Sequence, residues 1–289
     1  MLPRVGDSPE ERLKSLYLTG DTTIIACKAD PRFCYTLYIP ESAWDEPERE
    51  LDLLVAVHGT MRLQSLYRDA FSGFGRFNNC VILAPLFPVG VRGNMDGSGY
   101  KYMIEGDIRY DEVLLAMVKE AGELLKRSFE KFMLFGFSGG GHFTHRFLYL
   151  HPERLKAVSI GAPGSVTLLD ETMDWWPGIR NFSEVFGRGI DFDALKQVKV
   201  HMSVGAQDLE SWEITFPEDS PRFIPGANSA GKDRNERLHS LRESLVARGI
   251  DVWHDIAPGV PHDMRGVFPY VERFFTDVVR DKLPTPGVR

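Results

Sequence analysis

Apolar positions along the chain fall in short unbroken runs separated by longer stretches with helical spacing. The runs within LDLLVAVHG, CVILAP, FMLFGFS and LKAVSIGAP, at 52–58, 80–85, 132–137 and 155–161, are continuous rather than alternating. That is the pattern of strands buried on both faces of a parallel sheet. Further strands are expected at 198–204 and 251–257, and at 22–27 and 34–40, where only a short turn intervenes and an antiparallel start is implied. Amphipathic stretches at 64–77, 107–129, 140–150, 232–248 and 264–279 lie between or after them. Strands alternating with helices predict an α/β fold: a doubly wound, mostly parallel eight-stranded sheet with helices on both faces, closed by right-handed crossovers.

No internal repeat and no Ser/Gly-rich linker divides the sequence, so residues 1–289 are read as a single domain. Two segments are long and irregular for such a fold. Residues 164–193 contain Trp175-Trp176-Pro177, and residues 209–231 contain Trp212 and three prolines. Connections of this length serve as lids or binding loops, or as surface loops pinned to the core by their aromatics. Within 232–248, leucines recur at helical spacing with charges between them, which reads as a solvated helix face.

The 289 residues are 43% hydrophobic and 26% charged, ordinary for a globular protein, with a formal net charge of -7. The sequence pI is near 5.7 and no basic cluster interrupts the balance, which disfavours a nucleic-acid partner. Residues 1–14 hold no apolar core, so neither a secretory leader nor a membrane span is expected and the protein reads as cytoplasmic. Cys27, Cys34 and Cys80, an odd number in or beside apolar runs, suit buried thiols better than a disulfide framework.

Chemistry enters at Gly136-Phe137-Ser138-Gly139-Gly140, a G-x-S-x-G turn between an apolar strand and a helix. Glycines on either side let the backbones pass closely, so the serine sits in a sharp turn with its hydroxyl pushed outward. Ser138 is a candidate nucleophile; the plainer reading is a serine that only caps the helix. A serine hydroxyl needs a base, and the base an acid to orient it. Asp208 follows the seventh expected strand, and His262 lies in the Gly/Pro-rich loop after the eighth, with Glu210 and Glu213 as alternative acids. An oxyanion would be met by the N–H of Gly139 and by that of Thr60 in His58-Gly59-Thr60-Met61, with Met61 as the fallback. His58 reads as an architectural hydrogen-bonder.

Other patterns carry less. His142 and His145, one helical turn apart, lack a third ligand at metal spacing. Residues 94–99 with Glu105 approach a calcium loop, but the preceding PLFPVGVRG cannot be its entering helix, and a loop into the cleft is the better expectation. No metal or cofactor is implied.

Taken together, HGTM after a strand, GFSGG at the turn, an aspartate after the seventh strand and GVPHD near the end resemble the α/β-hydrolase superfamily over residues 22–280. The block 107–164, with GFSGGG and HPERLKAVSIGAPG, is similar to esterases of the polyhydroxybutyrate-depolymerase and feruloyl-esterase type. The resemblance implies Ser138 as nucleophile, His262 as general base, Asp208 as its orienter and backbone donors at Thr60 and Gly139. It departs from secreted depolymerases in having neither their disulfides nor a signal peptide. The expectation is a serine hydrolase, a carboxylesterase acting on a small-molecule ester, with a pocket drawing on Met61, Phe137, Trp175, Trp176 and Trp212. Cleavage of an amide, thioester or carbon–carbon bond by the same residues is a second reading, and a low-turnover ligand-binding protein a third.

Overall fold

The computed structural model describes residues 7–283. Its strands are β1 (Gly20–Asp21), β2 (Ile25–Ala26), β3 (Cys34–Ile39), β4 (Asp52–Val57), β5 (Cys80–Leu86), β6 (Ile104–Glu105), β7 (Ile108–Arg109), β8 (Phe132–Phe137), β9 (Leu155–Gly161), β10 (Lys199–Gly205) and β11 (Val252–Ala257). The α-helices are α1 (Pro9–Tyr17), α2 (Ser42–Asp45), α3 (Gln64–Asn78), α4 (Tyr110–Leu125), α5 (Gly139–Leu150), α6 (Phe182–Phe186), α7 (Phe192–Leu195), α8 (Arg234–Val246) and α9 (Met264–Val279).

The main sheet runs β1-β3-β5-β4-β8-β9-β10-β11, with β2 also paired to β3. Every pair from β5 to β11 is parallel, and the pairings of β3 are antiparallel. The strand expected at 22–27 is thus two short pieces, making nine strands rather than eight. Thr22 explains the break: its hydroxyl accepts the Leu37 N–H at 2.8 Å, occupying a position that a strand carbonyl would hold. A separate hairpin joins β6 to β7, and α1 opens on a capping box in which Ser8 and Glu11 exchange bonds.

Continuous apolar strands demand cover on both faces, and the rings show how it is supplied. Phe135 meets Phe71 of α3 with ring centroids 5.3 Å apart, and Phe71 in turn meets Phe268 of α9 at 4.9 Å. Phe132, three residues earlier on the same strand and so on the other face, packs on Phe147 of α5. Burial of each such ring contributes about 1.5–3 kcal/mol.

The winding sets the site. After β4 the chain steps outward to β5, returns to β8 beside β4, and proceeds the other way through β9, β10 and β11. The connections leaving β4 and β8 enter helices on opposite faces of the sheet, which opens a crevice at the carboxyl ends of those two strands. No helix among the described residues is long and apolar enough to cross a membrane.

Candidate active site

Ser138 occupies that crevice, between β8 and α5, with φ 57° and ψ -117°. A side-chain-bearing residue holds such a conformation only where the surroundings enforce it. They do so through backbone contact: a Cβ on Gly140 would lie 2.2 Å from the Val57 carbonyl, and one on Gly141 2.3 Å from that of Gly161, so α5 is pressed onto the strand ends. The Ser138 hydroxyl makes no capping bond to its helix, which removes the plainer reading of the motif.

Asp208 follows β10 and is buried. His262 follows β11, and its Nδ1–H donates to Asp208 Oδ2 at 2.6 Å, leaving Nε2 as the acceptor nitrogen. The imidazole lies against Phe137, the residue before Ser138, with ring centroids 4.9 Å apart, and both Ser138 and His262 line one cleft of about 500 Å³. Of the acids left open by the sequence, Asp208 holds the histidine, while Glu213 is tied to Arg234 at 3.0 Å and Glu210 offers Arg234 its carbonyl.

Across the crevice, the Gly59–Thr60 turn runs against the serine. A Cβ built on Gly59 would stand 3.8 Å from Ser138 Cβ, and one on Gly139 2.9 Å from Thr60 N, so the Thr60 amide lies close beside Gly139. His58 positions this turn: Phe87 N–H donates to its Nε2 at 3.0 Å, and Nδ1 donates to the Gly59 carbonyl at 2.8 Å. Burial pushes its pKa down to about 4, so the ring is neutral, as suits an architectural role. Arg62 bonds the Thr60 and Gly97 carbonyls and lies over the Tyr100 ring, tying the turn to the loop after β5.

Met61 and Phe137 line the cleft, as expected from the sequence, but Trp175, Trp176 and Trp212 do not. Trp176 sits behind the wall, edge-on to Tyr102 at 5.5 Å and tilted against Phe216 at 4.9 Å, both of which do face the cleft. Trp175 packs on Phe182 and Phe186, and Trp212 is 74% exposed. Segment 209–231 reaches the cleft instead through Glu213, Ile214, Phe216 and Arg222.

The sequence reading also missed several cations. Arg234 and Arg237, taken as part of a solvated helix face, are 3% and 1% exposed because the first turn of α8 abuts Asp208 and the 209–231 segment. Arg146 is wholly buried among Tyr102, Trp175 and Trp176. His142 and His145 serve the backbone: Gly164 and Ser165 donate to His142 Nε2, and Thr167 donates to His145 Nε2 at 3.0 Å. Their burial holds both far below the usual histidine range.

Asp96 of the calcium-like segment is paired with Arg222, and Glu105 accepts from Tyr110 and Asn94. Elsewhere, donor atoms of Asp111, Glu112 and His151 lie within 4.8 Å of one another, but Asp111 is already bonded to Arg109 and His151, and none of the three lines the cleft.

Among solved structures, the chain superposes on poly(aspartic acid) hydrolase-1 from Sphingomonas sp. KT-1 with a TM-score of 0.70 and 18% identity, covering 88% of this chain and 98% of that one. The chain has the α/β-hydrolase fold. The chain also superposes on a poly(3-hydroxybutyrate) depolymerase from Bordetella parapertussis, TM-score 0.62, 21% identity, 89% and 86% covered, and on a ferulic acid esterase, TM-score 0.59, 13% identity, 90% and 99% covered. No family model and no curated protein matches the chain by sequence.

Proposed function

We propose that the protein is a serine hydrolase, a carboxylesterase that cleaves a small carboxylic ester through an acyl-enzyme intermediate. One observation carries the reading: His262, bonded at 2.6 Å to the buried Asp208, shares a cleft with a serine held at φ 57° at a strand-to-helix turn. In this reading Ser138 Oγ attacks the ester carbonyl and His262 Nε2 takes its proton. The carbonyl oxygen, now anionic, is met by the Thr60 and Gly139 N–H groups. The proton passes to the departing alcohol, and water deprotonated by His262 releases the acid and restores Ser138. Asp208 keeps the imidazole in the tautomer that accepts at Nε2.

The proposal takes the substrate as a small molecule, involves no cofactor, nucleic acid or membrane, and puts the protein in the cytoplasm, a setting the three unpaired cysteines suit. Rapid mixing with excess chromogenic ester tests it. A burst of one alcohol per chain is expected, and Ser138→Ala should abolish it and lower kcat by roughly a million-fold. Turnover by Ser138→Ala at the rate of the unmodified protein would end the proposal.

A second reading, amide hydrolysis by the same residues, is favoured by the likeness to poly(aspartic acid) hydrolase-1, whose named polymer has amide linkages. An ester and an anilide of the same acid separate the two, because nitrogen must be protonated to leave.

A further inference from the structure

The cleft around Ser138 is lined by a cation that has no counterion. Resting on the esterase reading above, we propose that the natural substrate is an anionic ester, bearing a carboxylate that the Lys101 ammonium binds beside the serine.

Three basic side chains face the cleft: Lys101, Arg222 and Arg234. Arg234 spans Asp208 and Glu213, and Arg222 is paired with Asp96. Asp96 is thereby taken, and among the described residues no carboxylate stands within ion-pair range of Lys101 Nζ. Behind the wall, Arg146 is held by neutral oxygens, Thr167 Oγ1 at 2.9 Å, Ser165 Oγ at 3.3 Å and the Lys101 carbonyl. Arg237 is likewise held by the carbonyls of Gly231, Gly164 and Ile214.

Neutral acceptors satisfy the N–H groups of a guanidinium without cancelling its charge, and in a poorly screened interior that charge is felt across the wall. Lys101 records it. Burial, then repulsion from Arg62, Arg222 and Arg146, brings its pKa down to about 8, with Asp96 alone pulling upward. The amine is still mostly protonated at neutral pH, so it acts as a cation. Its own charge in turn depresses His58, at the end of β4, and His142, one turn beyond Ser138. Lys101 lines the same cleft as Thr60 and Ser138, the two sides of the serine turn. The chain as a whole carries a net charge of -7, so this positive wall is a local construction and not an overflow of bulk charge. An anion in the cleft relieves the repulsion among these groups, and a neutral ester does not.

The test compares kcat/KM for a monoethyl dicarboxylate with that for the ethyl ester of the same chain ending in methyl. The unmodified protein should favour the anionic ester by about tenfold or more at low salt, less as ionic strength rises. Lys101→Met should bring the ratio close to one, and Lys101→Arg should keep most of it. A ratio at or below one in the unmodified protein, or one that Lys101→Met leaves unmoved, overturns the proposal. If neither ester is hydrolysed and Ser138 takes no acyl group, the esterase reading has failed. Calorimetry with glutarate then decides for the anion site: binding that Lys101→Met removes supports it, and no binding overturns it.

Discussion

Asp208 works through both of its oxygens: Oδ2 accepts from His262, and Oδ1 accepts from Arg234 at 3.1 Å. Replacing Asp208 with Asn puts an amide where two donors already point, so the imidazole loses the partner that fixes its tautomer. Asp208→Asn is expected to lower kcat by roughly 10³–10⁴-fold; an unchanged kcat would hand the orienting role to another group. Ser138, Asp208 and His262 were legible as candidates because each lies in the turn or loop that leaves a strand, and unbroken apolar strands are readily seen in the sequence. Arg234, Arg146 and Lys101 were not. A charged residue reads the same in the sequence whether its segment faces water or a cleft; the packing of α8 decides for Arg234, that of α5 for Arg146, and the course of the loop after β5 for Lys101.

At the scale of elements, the position of Ser138 depends on how closely α5 can approach the ends of β4 and β9. Gly140→Ala drives a methyl toward the Val57 carbonyl, which Cβ geometry puts at 2.2 Å. Such overpacking should cost about 1–3 kcal/mol, read as a lower urea midpoint, and should slow acylation of Ser138 as the turn shifts. A variant with unaltered midpoint and rate would show that the approach has slack. The tryptophan-bearing loops were legible as loops but not in orientation. Trp175-Trp176 in a Pro-containing segment is equally compatible with a cleft wall and with a prop behind one, and the ring of Arg146, Tyr102 and Phe216 around them settled it as a prop.

For the whole molecule, neutral buried histidines set the acid limit of stability. His58 and His254 are pushed down to about 4 from 6.5, chiefly by burial, and His142, His145 and His201 are lowered for the same reason. Between pH 6.5 and 4 the unfolded chain binds protons that these rings refuse in the fold, so stability is full above the unfolded value and is lost as pH falls. The lowered carboxyls, such as Asp111 and Asp255, add their loss only at more acid pH, near and below 3.8. The urea midpoint should therefore drop between pH 7.5 and 5, and a flat profile would contradict the neutral assignments. The parallel core of the sheet was legible because its strands are unbroken apolar runs; the split between β1 and β2 was not, since it turns on one threonine hydroxyl taking a ladder bond. The account as a whole is tested most directly by treating the protein with a fluorophosphonate and locating the adduct by peptide mass spectrometry. It predicts a single phosphonylated residue, Ser138, with labelling lost in His262→Ala; an adduct on any other residue, or none on an active protein, would contradict it.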